Sequence, residues 1–205
     1  MALSKKGEEK MKKQKIKTTY LTVTAVMAAV STITYYVLPE IPLVPGVDYL
    51  KIDFSDIPAI ATGIMINPFY GILVEVVKNL IHLFKTTTLG IGELMNMGVG
   101  AAIILSLSGF SKLFARLFKK DNMSVAAYYS ASAVTLAITI LAGWLLNGAL
   151  TPVYFILMGF PITAQGIAAG VWGSTLLNVV KAALNLLPFY PVFLALKKAF
   201  SKISH

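Results

Sequence analysis

Seventy-five consecutive residues, Asn122 to Leu196, contain a single side chain charged at neutral pH, Lys181. A water-facing surface needs charged groups spread along it. This stretch therefore predicts lipid-embedded helices rather than the exterior of a soluble domain. An ammonium near the middle of a membrane span costs roughly 2.5–3.5 kcal/mol on the insertion scale, so some interaction has to offset it. Asn178 lies three residues before Lys181 and Asn185 four after, which puts all three on one helical face. Ser174 extends that stripe by another turn.

The rest of the chain agrees. Of its 205 residues 57% are hydrophobic and 13% charged, which predicts one all-α integral membrane domain. The net charge of +9 does not point to nucleic acid, because 14 of the 18 basic residues fall in three clusters beside apolar runs. They are Lys5–Lys17, Lys112–Lys120 and Lys197–Lys202. Such clusters mark cytoplasmic segments under the positive-inside rule, and anionic lipid headgroups are partner enough for them. The absence of cysteine excludes disulfides, thiolate metal sites and cysteine nucleophiles. With two histidines, one of them terminal, a histidine-based metal site is not expected. Thr18–Leu38 is uncharged over 21 residues, longer than a signal-peptide core of about 7–15, and reads as a retained first span.

Six spans are predicted: Thr18–Leu38, Asp56–Ile66 (short), Phe69–Phe84, Ile91–Phe110 with a basic amphipathic extension to Phe118, Ser124–Leu146, and Ile167–Leu196. Residues 1–16 form a basic tail, 17–200 the membrane domain and 201–205 a second tail. Ser55-Asp56-Ile57-Pro58 has the pattern of a capped helix start with proline in the first turn, and Asn67-Pro68 that of a tight turn. Two longer loops, Glu40–Asp53 and Asn147–Gln165, fall on the same side and could form a lid. Pro188 and Pro191 are expected to bend or interrupt the last span. An even number of spans puts both termini on one side, the cytoplasmic one by charge. No internal repeat is visible, which argues against an inverted-repeat transporter.

Four helices direct polar groups inward. The last span carries Ser174, Asn178, Lys181 and Asn185. The third carries Glu75, Lys78, Asn79 and His82. The fourth opens with Glu93 and Asn96, and the fifth ends with Trp144 and Asn147. Glu75 and Lys78, at i and i+3, are expected to neutralise one another. His82 reads as a satisfied interfacial residue and Asn96 as a helix bridge or a ligand contact. Lys181 has no acid on its own helix. Its partner must come from another helix, with Glu93 the leading candidate, or from a ligand. Amides offer a donor and an acceptor side by side, which matches the alternating edge of a heterocycle such as an imide. Leu, Val, Met, Tyr and Trp around them suit a flat ring, and an apolar pocket with a few convergent polar groups is the usual form of a small-molecule site.

Four local runs occur in an order that resembles one family. They are Asp53-Phe54-Ser55-Asp56-Ile57-Pro58 after a proline-rich loop, Val77-Lys78-Asn79-Leu80-Ile81-His82, Gly92-Glu93-Leu94-Met95-Asn96, and Asn178-x-x-Lys181. From about Lys17 to Leu196 the chain resembles the riboflavin-specific substrate-binding components of the energy-coupling factor (ECF) vitamin transporters. The resemblance implies a six-helix prokaryotic plasma-membrane protein that binds riboflavin near its outer face as cargo, with no resident cofactor. It implies that Asn178 and Lys181 bond the flavin's polar edge, with Asn147 joining them. Glu93, Asn96 and Asn185 and first-loop groups such as Asp48 and Tyr49 complete the implied set. It also implies that a small-residue Ala-x-x-x-Ala face, here Ala25 and Ala29, docks on a transmembrane scaffold subunit served by two cytoplasmic ATPases. Such spacing lets helix backbones approach closely in lipid, and serves internal packing equally well. The chain itself has no Gly-x-x-x-x-Gly-Lys-Ser/Thr phosphate loop.

Other readings stay open at this level. A different vitamin is one: thiamine, a cation, would favour carboxylates over Lys181, whereas anionic biotin would welcome it. A solitary ion-coupled carrier using Glu75, Lys78 and His82 is another. A membrane enzyme using Glu93 and Lys181 as an acid–base pair is the third, although no metal, nucleophile or phosphate motif accompanies it.

Overall fold

The structure is a computed structural model that describes residues 2–37, 41–42, 51–52, 54–120 and 124–201, with side chains at 18–37, 54–120, 124–196 and 198. Six α-helices follow one another among these residues: α1 (Ala2–Val37), α2 (Ile57–Met65), α3 (Pro68–His82), α4 (Ile91–Leu117), α5 (Val125–Met158) and α6 (Ala164–Ser201). Two short strands, β1 (Ile41–Pro42) and β2 (Lys51–Ile52), pair antiparallel between α1 and α2, with Ile41 opposite Ile52.

Helix ends follow local chemistry. Asn67 caps α3, its side-chain oxygen accepting from the backbone N–H groups of Phe69 (2.9 Å) and Tyr70 (3.4 Å), with Pro68 at the first position where no N–H is needed. The expected Asn67-Pro68 turn is thus a helix cap. Gly159, at φ 71°, closes α5 in the left-handed conformation that glycine adopts without a Cβ penalty.

The expected spans need three corrections. Among the described residues four stretches are long and apolar enough to cross a membrane: Thr18–Val37, Ile91–Leu117, Val125–Met158 and Ala164–Leu196. At 1.5 Å per residue, the nine residues of α2 cover about 14 Å and the fifteen of α3 about 22 Å, short of a ~30 Å hydrocarbon layer. These two helices fold back on each other at Asn67. Second, Asn147–Gln165 is not a loop: α5 runs on to Met158 and α6 begins at Ala164. Third, Pro188 and Pro191 lie within α6 and do not end it, as Pro152 lies within α5. A chain in lipid has no water to satisfy freed carbonyls, so the helix persists past positions that would break it in water.

Neighbouring helices run antiparallel along α2–α3–α4–α5–α6, while α1 lies parallel to α3. Tyr20 meets Tyr70 at one end of the α1–α3 pair, and the Tyr36 hydroxyl donates to the Ile81 carbonyl (2.9 Å) at the other. Where α2 and α3 cross, Gly63 and Gly71 let the backbones touch. A Cβ on Gly71 would come within 2.7 Å of the Ala59 carbonyl oxygen and the Gly63 Cα. Ile60, Val74, Ile103, Ile104, Leu107, Tyr128 and Phe189 form the apolar core. The polarity of the bundle is inverted relative to a soluble domain. Leu21, Ile33, Leu141, Leu145, Leu176 and Leu187 face outward, whereas Asp56, Glu75 and Lys78 are buried. On α1, Ala28 packs inward and Ala25 and Ala29 are exposed.

Candidate ligand-binding site

At the end of the bundle where α1, α3 and α5 finish and α4 and α6 begin, the helices enclose a cavity of about 460 Å³. That size falls within the roughly 300–1,000 Å³ of small-molecule sites. Asn96, Asn147, Asn178 and Lys181 supply amides and an ammonium to its lining. Tyr35, Tyr154, Phe155 and Phe160 supply aromatic surface, and His82, Glu93 and Thr88 lie along another part of it.

Beneath the cavity is a closed ring of six side chains from α2, α3, α4 and α6. Asp56 stands at the N-cap position of α2, yet makes no capping bond. Its carboxylate receives Lys78 Nζ on one oxygen (2.5 Å) and Lys181 Nζ on the other (3.0 Å). Lys181 also donates to Asn96 Oδ1 (2.6 Å), Asn96 Nδ2 donates to Asn79 Oδ1 (2.9 Å), and Asn79 Nδ2 to Glu75 Oε1 (2.9 Å). Glu75 and Lys78 then close the circuit at 2.7 Å. Two basic side chains face two acidic ones, so the formal charges of the ring balance. That balance is how a charged set is accommodated away from water, where a lone ion would cost several kcal/mol. Gly100 makes room for it: a Cβ there would meet the Glu75 carboxyl carbon at 2.7 Å.

Glu93 therefore does not partner Lys181. It occupies the first turn of α4, where the helix dipole favours an anion. One of its oxygens meets His82 Nδ1 (2.8 Å), and the other accepts from the hydroxyls of Thr86 (2.9 Å) and Thr88 (3.2 Å). The His82 ring stacks on Tyr35 with centroids 3.9 Å apart. The expected Glu75–Lys78 pair is present, and Asn96 both bridges helices and lines the cavity.

Asn147 and Asn178 meet through one glycine. Asn147 Nδ2 donates to the Gly143 carbonyl (2.6 Å), and a Cβ on Gly143 would sit 2.6 Å from Asn178 Nδ2. The remaining candidates divide. Asn185 is fully buried but does not line the cavity, and its amide has no hydrogen-bond partner among the described residues. Trp144, placed inward by its sequence position, is 48% exposed on the outside of α5. Asp48 and Tyr49 lie outside the described residues. Sequence reasoning missed the Asp56–Lys181 pair and the aromatic lining from Tyr154, Phe155 and Phe160. The first needed a long-range contact. The second was hidden in a segment read as loop.

A helical bundle with an apolar exterior, a neutral buried charge network and a polar-floored cavity at one end defines a membrane protein built to hold a small molecule. Residues 19–193 match the family described as ECF transporter, substrate-specific component. The chain belongs to that family, which is one of transporter substrate-binding components and not of enzymes. It is 33% identical over 159 residues to the riboflavin transporter FmnP of Bacillus subtilis (strain 168), a match covering 75% of this chain and 80% of FmnP. It is 31% identical over 100 residues to the riboflavin transporter RibU of Staphylococcus aureus (strain TCH60), covering 49% and 51% respectively. The solved S component of a bacterial ECF transporter shares the fold, at a TM-score of 0.61 and 20% identity, over 91% of this chain and 98% of the other.

Proposed function

We propose that this chain is the riboflavin-capturing subunit of an ATP-driven ECF uptake transporter in a prokaryotic plasma membrane. The observation that carries this reading is the cavity itself. Three asparagine amides and a lysine converge on one part of it and aromatic side chains flank the rest, in a chain one-third identical to a riboflavin transporter. The flavin's pyrimidine edge alternates donors and acceptors and pairs with Asn178, Asn147 and Lys181. Its ring system lies against Tyr35, Tyr154 and Phe155, and its hydroxylated chain reaches Glu93 and Thr88.

The basic clusters assign both termini to the cytoplasm, so the cavity end faces outward and takes substrate from outside. Residues 17–200 act as the membrane domain. The exposed Ala25 and Ala29 of α1 form the surface that docks on a transmembrane scaffold subunit, and two cytoplasmic ATPase subunits supply the energy this chain has no phosphate loop to provide.

The absorption spectrum of the protein purified in detergent tests the reading. A bound flavin spectrum, or its appearance on titration with riboflavin and not with biotin or thiamine, is the expected result. A protein that binds another vitamin and ignores riboflavin overturns the ligand assignment while leaving the family intact. Riboflavin uptake by proteoliposomes holding this chain alone would overturn the dependence on ATPase partners.

A further inference from the structure

The pairing of Lys181 with Asp56 bears on which ligands the cavity accepts. Lys181 is the cavity-lining member of the ring that carries charge; Asn96, which lines the cavity with it, is neutral. Alone in a buried site, its ammonium would attract any ligand presenting a negative edge. It is not alone. Asp56 lies behind it at 3.0 Å with its side chain 2% exposed, and Asp56 is itself shared with Lys78. The ligand thus meets a hydrogen-bond donor whose positive field is opposed by a carboxylate that lies outside the cavity lining.

We propose that Asp56 sets the charge specificity of the cavity at its Lys181 edge, apart from His82, Lys85 and Glu93 elsewhere on the lining, making Lys181 a donor to uncharged polar rings and reducing the advantage an anionic ring edge would otherwise gain. This rests on riboflavin being the ligand with its pyrimidine edge toward Lys181. Riboflavin supplies its own probe. The oxidised ring is neutral, whereas the two-electron-reduced ring loses a pyrimidine-side proton near neutral pH and becomes an anion of nearly the same size. The relative affinity for the two forms reports the net charge felt at that edge, and charge beside a flavin ring is a recognised means by which proteins tune it.

The experiment is an anaerobic reductive titration of riboflavin bound to the purified protein, at a pH where the free reduced ring is anionic. The bound midpoint potential is compared with that of free riboflavin. Asp56→Asn should shift the affinity ratio toward the reduced form by at least about tenfold, a rise of about 30 mV for a two-electron couple. Lys181→Gln, which removes the cation standing between the ligand and Asp56 and leaves Asp56 paired with Lys78 alone, should shift the ratio the opposite way. Asp56→Glu, which keeps the charge, should stay near the wild-type value. Should Asp56→Asn fail to fold, the wild-type value decides: a bound potential within about 30 mV of free riboflavin supports the proposal, and a larger rise overturns it. Ratios unchanged in the variants that fold and bind would overturn the proposal while leaving riboflavin binding standing. A wild-type protein that does not take up riboflavin would instead overturn the reading of the ligand.

Discussion

Gly143 separates stability from binding. Its hydrogen occupies the space in which an alanine methyl would lie 2.6 Å from Asn178 Nδ2 and 3.3 Å from Asn178 Cγ. An ordinary contact requires about 0.8 Å more, so in Gly143→Ala the Asn178 amide must swing away from its present place. Fold stability and affinity should then move apart. Replacing a helical glycine by alanine favours the helix by about 1 kcal/mol, which offsets much of the cost of moving one short side chain. A ligand hydrogen bond made by Asn178 is worth about 1.5 kcal/mol at the upper end for neutral groups, close to tenfold in Kd. Riboflavin titration followed by flavin fluorescence, with thermal unfolding of the same detergent sample, reads both quantities. The expected result is a Kd raised about tenfold at a midpoint temperature close to wild type. An unchanged Kd in a well-folded variant would show that Asn178 does not touch the ligand. A loss of both would show that Gly143 matters to packing alone.

Three further outcomes test other parts of the structure. Gly71→Ala should lower stability by about 1–3 kcal/mol, read as a fall in unfolding temperature, because its methyl would meet backbone atoms of α2 that have nowhere to move. Asn185→Leu should raise stability by about 1–3 kcal/mol with riboflavin affinity unchanged, since it removes a buried amide unpartnered among the described residues; a loss of binding would return Asn185 to the site. Ala29→Leu should leave riboflavin binding intact while reducing co-purification with the scaffold and ATPase subunits, because Ala29 lies on the exposed face of α1 away from the cavity.

Much of the architecture was already legible in the chain. Six helices, the positions of most of their ends and the inward direction of Asn96, Asn147, Asn178 and Lys181 follow from local rules: charge-free length, basic flanks, capping residues and helical periodicity. These properties depend on neighbours within about two turns, and a sequence displays them directly. The extension of α5 through Pro152 was misread because the weights of Pro and Gly as helix breakers come from water, where freed carbonyls find partners; in lipid they do not.

Pairing of the buried charges was a different matter. Glu93 and Asp56 were both acids at helix starts, both within reach of Lys181 by topology. Nothing in their spacing along the chain distinguished them. The fold-back of α2 onto α3 at Gly63 and Gly71 brings Asp56 between Lys78 and Lys181, and the threonine turn before α4 holds Glu93 on His82 instead. That a lysine had to be compensated inside the membrane follows from its place in a charge-free run. Which carboxylate compensates it follows from the packing of helices far apart in the chain, because the Coulomb interaction depends on the distances that packing sets.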